Sequence, residues 1–177
     1  MSRGTARRSP RRGRCWSSSC RSDPAASERA WAAAAGRSVV AGGAMQVEHI
    51  GSTSVPELAA KPVIDVQLVV PDVEREADWL PALQAAGYVL RVREPGHRMV
   101  QAAPPLPAAN VHLHLDGAPE LAARLRLRDR LRADPAARQR YEDVKRSLTG
   151  REWPDVNHYA EAKGDVIREL LAEPDCR

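Results

Sequence analysis

The 177-residue sequence contains no phenylalanine, and aromatic residues make up only 4% of it. Its three cysteines are spread over both ends of the chain, without histidines at zinc-ligand spacing. No stretch approaches the roughly 18 apolar residues that a membrane helix needs. The chain also lacks the G-x-x-x-x-G-K-[ST] loop of P-loop kinases. These absences argue against a disulfide framework, a zinc site, a membrane partner and a P-loop kinase, and they make the reducing cytoplasm the expected location.

Positive charge is concentrated at the N-terminus. Residues 1–22 hold seven arginines and no acid, while the whole chain has a net charge of +4. The remainder is therefore mildly acidic, so nucleic acid is not an expected partner of the folded part. The Arg/Ser-rich start of residues 1–44 predicts a disordered low-complexity segment, a basic arm or a transit-like peptide. The family resemblance described below, which begins near Val47, adds a misassigned start as a further alternative. We expect the domain at residues 45–173.

The most informative stretch is residues 45–70, MQVEHIGSTSVPELAAKPVIDVQLVV. Its pattern predicts a strand at about 46–50, a tight turn, a short helix and a second strand at 63–70. The second strand is β-branched, mostly apolar and too short for a typical helix.

The turn Gly51-Ser52-Thr53-Ser54 has two features that suit an anion. Glycine lets the backbone approach a ligand, and the hydroxyls can cap the helix that follows. The free N–H groups of a helix start favour phosphate. We therefore predict a phosphate site at Gly51, Ser52, Thr53 and Ser54, with Lys61 able to reach the phosphate. The alternative is a capped turn with no ligand.

Asp65 lies inside the apolar second strand. A buried carboxylate is costly unless a metal, a cation or hydrogen bonds compensate it. Gln67 is two residues on, so both side chains project from the same face. The alternative to a functional Asp65 is a carboxylate that is simply hydrogen-bonded.

The rest of the chain predicts an α+β arrangement. The expected elements are a helix at about 72–86, strands at 87–93, 97–102 and 110–115, and helices at about 121–131, 136–148 and 157–171. His112 and His114 share one face of the last strand. Arg98 follows a turn and suits a bidentate phosphate contact.

Several motifs resemble the GrpB family, in the family's order and over residues 47–172. They are HIGSTSVPELAAKPVIDVQLVV, EPGHRM, NVHLHL, LRLRDRLRADP, RYEDVKRSL and NHYAEAKGDVIRELL. Family members commonly have glycine where this chain has Glu57. The resemblance implies a minimal nucleotidyltransferase-like mixed β-sheet with C-terminal helices. Some GrpB-like domains are fused to dephospho-CoA kinase, which implies such a kinase as a possible kind of partner.

The resemblance also implies a pocket in which a Gly-Ser turn and three acids hold two Mg²⁺ ions. Gly51-Ser52 matches the turn and Asp65 the first acid, which makes Asp65 the candidate catalytic residue. Gln67 takes the place of the second acid, and no acid matches the third. His112 and His114 lie where the third is expected, so the candidate metal ligands are Asp65, Gln67, His112 and His114. The expected ion is Mg²⁺ or Mn²⁺, ahead of Zn²⁺.

Three interpretations of the altered acid set remain open. The site could carry out weak metal-dependent nucleotidyl transfer, or bind a nucleotide or phosphorylated small molecule without turnover, or hold histidines that only hydrogen-bond within the sheet. A different class of function is a non-catalytic accessory module that acts with dephospho-CoA kinase or another partner. Lys145 and Lys163 would line the pocket only if the C-terminal helices close over the sheet.

Overall fold

The computed structural model describes residues 46–149 and 161–173. The expectations for residues 1–44, and for the start of the last helix near residue 157, lie outside this part. The described strands are β1 (Gln46–Ile50), β2 (Ile64–Val69), β3 (Tyr88–Glu94), β4 (His97–Ala102) and β5 (Ala109–His114). The described helices are α1 (Glu76–Ala85), α2 (Pro119–Ala133), α3 (Pro135–Thr149) and α4 (Gly164–Ala172), and a single 3-10 turn spans Ser52–Ser54.

The five strands form one mixed sheet in the order β1-β2-β5-β4-β3. β2 and β5 pair in parallel at its centre, and the neighbouring pairs are antiparallel. A parallel pair needs a long crossover, which α1 and the β3–β4 hairpin supply. The predicted α+β fold with a mixed sheet and C-terminal helices is confirmed.

One face of the sheet builds the larger core. Alternate residues of β2 and β5 point to this side, and α1 covers them. Its fully or nearly fully buried members include Val66, Leu113, Val100, Val73 and Leu83. Because strand side chains alternate, this core fixes which residues of β2 and β5 face the other side.

The other face is covered by the C-terminal helices. A second apolar cluster joins the segment after the 3-10 turn to α2, α3 and α4, through Val55, Leu58, Leu131, Tyr141 and Leu170. The helices therefore close over the face that carries Asp65. Within residues 46–149 and 161–173, no helix has both the length and the hydropathy of a membrane span.

Candidate functional site

The turn after β1 lies directly against the carboxylate of β2. Gly51 has a φ of +71°, and a Cβ atom built there would lie 2.6 Å from Asp65 Oδ2. Only glycine accepts this backbone conformation and this approach without strain. The structure therefore brings the predicted turn and the predicted acid together on one side of the sheet.

Two hydroxyls of the turn hold the turn itself. Thr53 and Ser54 are only 8% and 4% exposed. Thr53 Oγ1 donates to the Val63 carbonyl at 3.3 Å, and Ser54 Oγ donates to the Gly51 carbonyl at 2.6 Å. The predicted helix is a single 3-10 turn of three residues. Of the four predicted phosphate contacts, Gly51 and Ser52 are therefore accessible to a ligand. Thr53 and Ser54 are buried, and their hydroxyls stabilise the turn instead.

Charged side chains of α2 and α3 form hydrogen bonds with the turn and with the segment after it. Lys145 Nζ donates to Ser52 Oγ at 2.7 Å and to the Ala59 carbonyl at 2.8 Å. Glu142 Oε2 accepts from the Ala59 N–H at 3.3 Å. Arg132 donates two hydrogen bonds to a carbonyl of the turn. The C-terminal helices thus place a lysine at the Gly-Ser turn.

Positive charge surrounds the single carboxylate of β2. Burial lowers the pKa of Lys145 to about 7, helped by repulsion from Lys163, whose own pKa burial also lowers. Although 32% of the Asp65 side chain stays accessible, burial raises the pKa of its carboxyl. A hydrogen bond from Asn110 and the charges of Lys163, Arg124 and Lys145 oppose that rise. Lys61 is exposed, and its positive charge contributes to lowering the pKa of Lys145 and of Lys163.

Histidines form one wall of the site. The ring of His97 stacks on His112 and His114, with centroids 5.4 and 4.7 Å apart. His97 Nε2 lies 3.1 Å from His112 Nδ1, and His97 Nδ1 lies 2.9 Å from Glu94 Oε2. His112 Nε2 is 4.0 Å from Asp65 Oδ1. The chain of contacts therefore runs from the exposed end of the hairpin to the carboxylate.

The two β5 histidines are neutral at pH 7. Burial, and then repulsion by Arg124, lowers the pKa of His112 to about 3 and that of His114 to about 4. His114 Nε2 lies 2.7 Å from Arg124 Nη1. A guanidinium only donates, so this nitrogen of His114 accepts and its lone pair is engaged.

The predicted metal ligands are not gathered into a coordination site. Gln67 is 2% exposed, and its Nε2 points to the Leu121 carbonyl at 3.5 Å. With His114 engaged by Arg124, only Asp65 and His112 remain. Across the two described ranges, no group of three His, Cys, Asp or Glu side chains could hold a metal ion. Mg²⁺ pairs need several carboxylate oxygens, and this residue set does not fit them.

A model of the GrpB protein family matches residues 22–173. The chain belongs to the GrpB family. It is 52% identical over 128 residues to a UPF0157 protein of Streptomyces coelicolor. The match covers 71% of this chain and 67% of that protein. The crystal structure of the conserved protein GrpB from Enterococcus faecalis superposes with a TM-score of 0.59 at 25% identity, covering 84% of this chain and 92% of that one.

A longer relative carries a functional name. The chain is 34% identical over 153 residues to a dephospho-CoA kinase of Mycolicibacterium paratuberculosis. The match covers 71% of this chain but only 38% of the kinase. The part shared with this GrpB-family protein is therefore a minor portion of that relative.

Arg98, predicted to contact phosphate, is on the opposite face of the sheet. It stands opposite Leu113 in the β4–β5 register, and Leu113 is a core residue. Arg98 is 7% exposed and forms ion pairs with Glu74 and with Glu76, the latter at 2.7 Å. The structure therefore does not bring Arg98 to the site of this GrpB-family protein.

Besides His97, sequence reasoning passed over two residues that shape the site, Asn110 and Arg124. Asn110 Nδ2 donates to Asp65 Oδ1 at 2.9 Å, and Gln101 Nε2 fixes the Asn110 amide by donating to its Oδ1 at 3.2 Å. The alternation of Asn110, His112 and His114 along one strand face could have revealed the first. The second, Arg124, has no local signal, because it reaches the histidines from a helix ten residues beyond His114.

Proposed function

We propose that this GrpB-family protein binds a nucleotide or another phosphorylated small molecule at Gly51–Ser52, without efficient turnover. The observation that carries the proposal is the placement of Lys145 on Ser52, within the electrostatic reach of Lys61, Lys163 and Asp65.

The site favours an anion for an electrostatic reason. The positive charges of Lys145, Lys163 and Arg124 act on Asp65, and the charge of Lys61 acts on the two lysines. Ion pairing is stronger there than in water, because the surroundings screen charge less. Burial is the largest cause of the lowered pKa of Lys145, and repulsion from Lys163 adds to it. A bound phosphate would add negative charge beside Lys145 and favour its charged form.

Metal-dependent nucleotidyl transfer is expected to be weak. Two-metal transfer needs carboxylates to hold the ions that activate the nucleophile and steady the leaving group. Asp65 is the one carboxylate of the predicted ligand set, and Gln67 is directed into the protein. Binding therefore explains the site better than catalysis does.

Calorimetry on Asp65→Asn tests the proposal. Pyrophosphate and ADP are titrated in EDTA and, separately, with Mg²⁺. We expect both to bind in EDTA, and Asp65→Asn to bind pyrophosphate about fivefold more tightly, because about 1 kcal/mol of repulsion is removed. Asp78→Asn, on an exposed site of α1, is the matched control. Binding that requires Mg²⁺ and disappears in Asp65→Asn would instead make Asp65 a metal ligand.

Proton linkage gives an independent readout. A phosphate close to Lys145 raises its pKa from about 7, so binding at pH 8 takes up a proton. The observed binding enthalpy should then change between Tris and HEPES buffers, in proportion to the buffers' ionisation enthalpies. Equal enthalpies in both buffers would place the phosphate away from Lys145.

A second candidate is an accessory module of dephospho-CoA kinase. It is favoured by the match to a minor portion of a relative with that name. The test measures the rate of a purified dephospho-CoA kinase with and without this protein. A module of this kind should change the kinase rate or bind the kinase, whereas a stand-alone ligand-binding protein should do neither.

A further inference from the structure

We propose that His112 determines ligand specificity: its Nε2, held without a proton by a hydrogen-bond chain from Glu94 through His97, accepts a hydrogen bond from a hydroxyl group of the ligand. The inference rests on the proposed phosphate site at Gly51–Ser52. It names the ligand class as phosphorylated polyols, including the ribose phosphate of a nucleotide.

The chain begins at a group that can only accept. The Glu94 carboxylate has no proton to donate when ionised. His97 Nδ1 lies 2.9 Å from its Oε2, so Nδ1 carries the hydrogen of that bond. When the His97 ring is neutral, it carries this one ring hydrogen, and its Nε2 is then an acceptor.

The second link fixes the tautomer of His112. His97 Nε2 lies 3.1 Å from His112 Nδ1, and an acceptor on one side requires a donor on the other. His112 Nδ1 therefore carries the hydrogen. The low pKa that burial gives His112 keeps the ring neutral, so its Nε2 presents a lone pair.

His112 Nε2 lies close to Asp65 but does not bond to it. His112 Nε2 and Asp65 Oδ1 are 4.0 Å apart, which is beyond hydrogen-bond distance. The Asp65 oxygen already accepts from Asn110. Side-chain exposures of 22% for His112 and 32% for Asp65 leave both reachable. A hydroxyl group carries one hydrogen, and Asp65 Oδ1 already accepts from Asn110, so a ligand hydroxyl placed here would donate that hydrogen to His112 Nε2.

The turn beside Asp65 has the complementary chemistry. Lys145 and Ser52 provide donors at the turn, whereas Asp65 and His112 provide acceptors. A ligand that satisfies both carries an anion at one end and a hydroxyl within a few bonds of it. Pyrophosphate has only the first feature.

Histidine NMR at pH 8 tests the tautomer without any ligand. In the wild-type protein, ¹⁵N–¹H correlations should show His112 protonated at Nδ1 and bare at Nε2. Glu94→Ala removes the acceptor that orients His97, so His112 should become a mixture of tautomers. Asp78→Ala, which removes an exposed carboxylate on α1, should leave it unchanged. A His112 that is protonated at Nε2 in the wild type overturns the proposal.

Ligand binding tests the specificity. We expect His112→Leu to lower the affinity for ribose 5-phosphate and ADP about fivefold, the value of one neutral hydrogen bond, with pyrophosphate affinity unchanged within about twofold. His112→Gln, whose amide oxygen can accept, should recover part of the loss. Equal losses for all three ligands, or no loss for ribose 5-phosphate, would overturn the role of His112.

Glu94→Ala keeps the test decisive if His112→Leu fails to fold. This variant changes a largely exposed side chain, and it should weaken ribose 5-phosphate binding without affecting pyrophosphate. Failure of the wild type to bind pyrophosphate would refute the phosphate site itself. The tautomer measurement separates that outcome from a failure of the His112 assignment.

Discussion

The ammonium nitrogen of Lys145 lies 2.7 Å from the hydroxyl oxygen of Ser52, across 93 positions of sequence. The turn that follows β1 is therefore positioned by α3 and not by its own residues alone. Any change in how α3 packs alters the geometry at Gly51. The ligand site and the helical cluster form one structural unit.

Lys145→Met should destabilise the fold. The change leaves the buried Ala59 carbonyl and the Glu142 carboxylate without this cation. We expect the free energy of unfolding to fall by about 1–3 kcal/mol, as measured by urea denaturation. Lys61→Met, at an exposed position, should change it by less than about 0.5 kcal/mol. Equal effects of the two substitutions would contradict the buried role.

Stability should rise as the pH increases from about 7 towards 10. The pKa of Lys145 is about 7 in the folded protein, whereas an ordinary lysine, as in the unfolded chain, has a pKa of 10.5. Between these values the unfolded chain binds a proton that the folded chain lacks, so the free energy of unfolding increases with pH. Lys163 acts in the same direction. Urea denaturation at pH 7, 8 and 9 should show a smaller slope in Lys145→Met, and an unchanged slope would rule out a lowered pKa.

Gly51→Ala should cost more than Gly96→Ala. Both glycines have a φ of +71°, but a Cβ atom at Gly51 meets Asp65 at 2.6 Å whereas one at Gly96 meets nothing within 4 Å. We expect a loss of about 1 kcal/mol at Gly96 from its positive φ, and at least about 2–3 kcal/mol at Gly51, where the clash adds to a backbone conformation with ψ of −173° that is essentially restricted to glycine. Matching losses in chemical denaturation would mean that the turn does not press on Asp65.

Glu57→Gly should stabilise the protein. Glu57 has a φ of +65°, a left-handed conformation that costs a non-glycine residue about 1–2 kcal/mol. Its ion pair with Arg138, at 3.3 Å and with a 70% exposed glutamate side chain, contributes little. We expect a gain of about 0.5–1 kcal/mol after the entropy of glycine is included. Glu57→Ala, which keeps the strain and loses the pair, should show no gain.

Arg98→Gln should lower the melting temperature but leave ligand binding intact. The buried guanidinium pairs with Glu74 and Glu76 on the face away from Asp65. We expect a fall of at least about 3 °C, with pyrophosphate affinity within about twofold of the wild type. Arg75→Gln, which breaks an exposed pair with Asp78, should cost much less. A large loss of affinity in Arg98→Gln would show that the arginine reaches the ligand.

The strands could be predicted from sequence because their alternation is strong and local. In β2 and β5, apolar residues point to the core at every second position, which also assigns Asp65 and His112 to the opposite face. The glycine expected at position 57 by family resemblance has a physical reason in the left-handed backbone there.

The features that the sequence does not reveal depend on information that is not local. His97 and Arg98 are adjacent, and only the register of β4 against β5 decides which one faces the site. Thr53 and Ser54 carry hydroxyls that could bind a ligand, but tertiary packing buries them. The hydrogen bond from Lys145 to Ser52 depends on how α3 packs against the turn, and no short motif predicts that packing.

The central parallel pair has a consequence for the order of folding. β3 and β4 are joined by a tight turn and can pair early, because closing a short loop costs little entropy. The bond between Asn110 and Asp65 joins residues 45 positions apart. It must wait until α1 and the hairpin, which lie between β2 and β5 in the sequence, have folded. The residues that would meet a ligand are thus assembled late, so partly folded chains that already contain the hairpin would have no binding capacity.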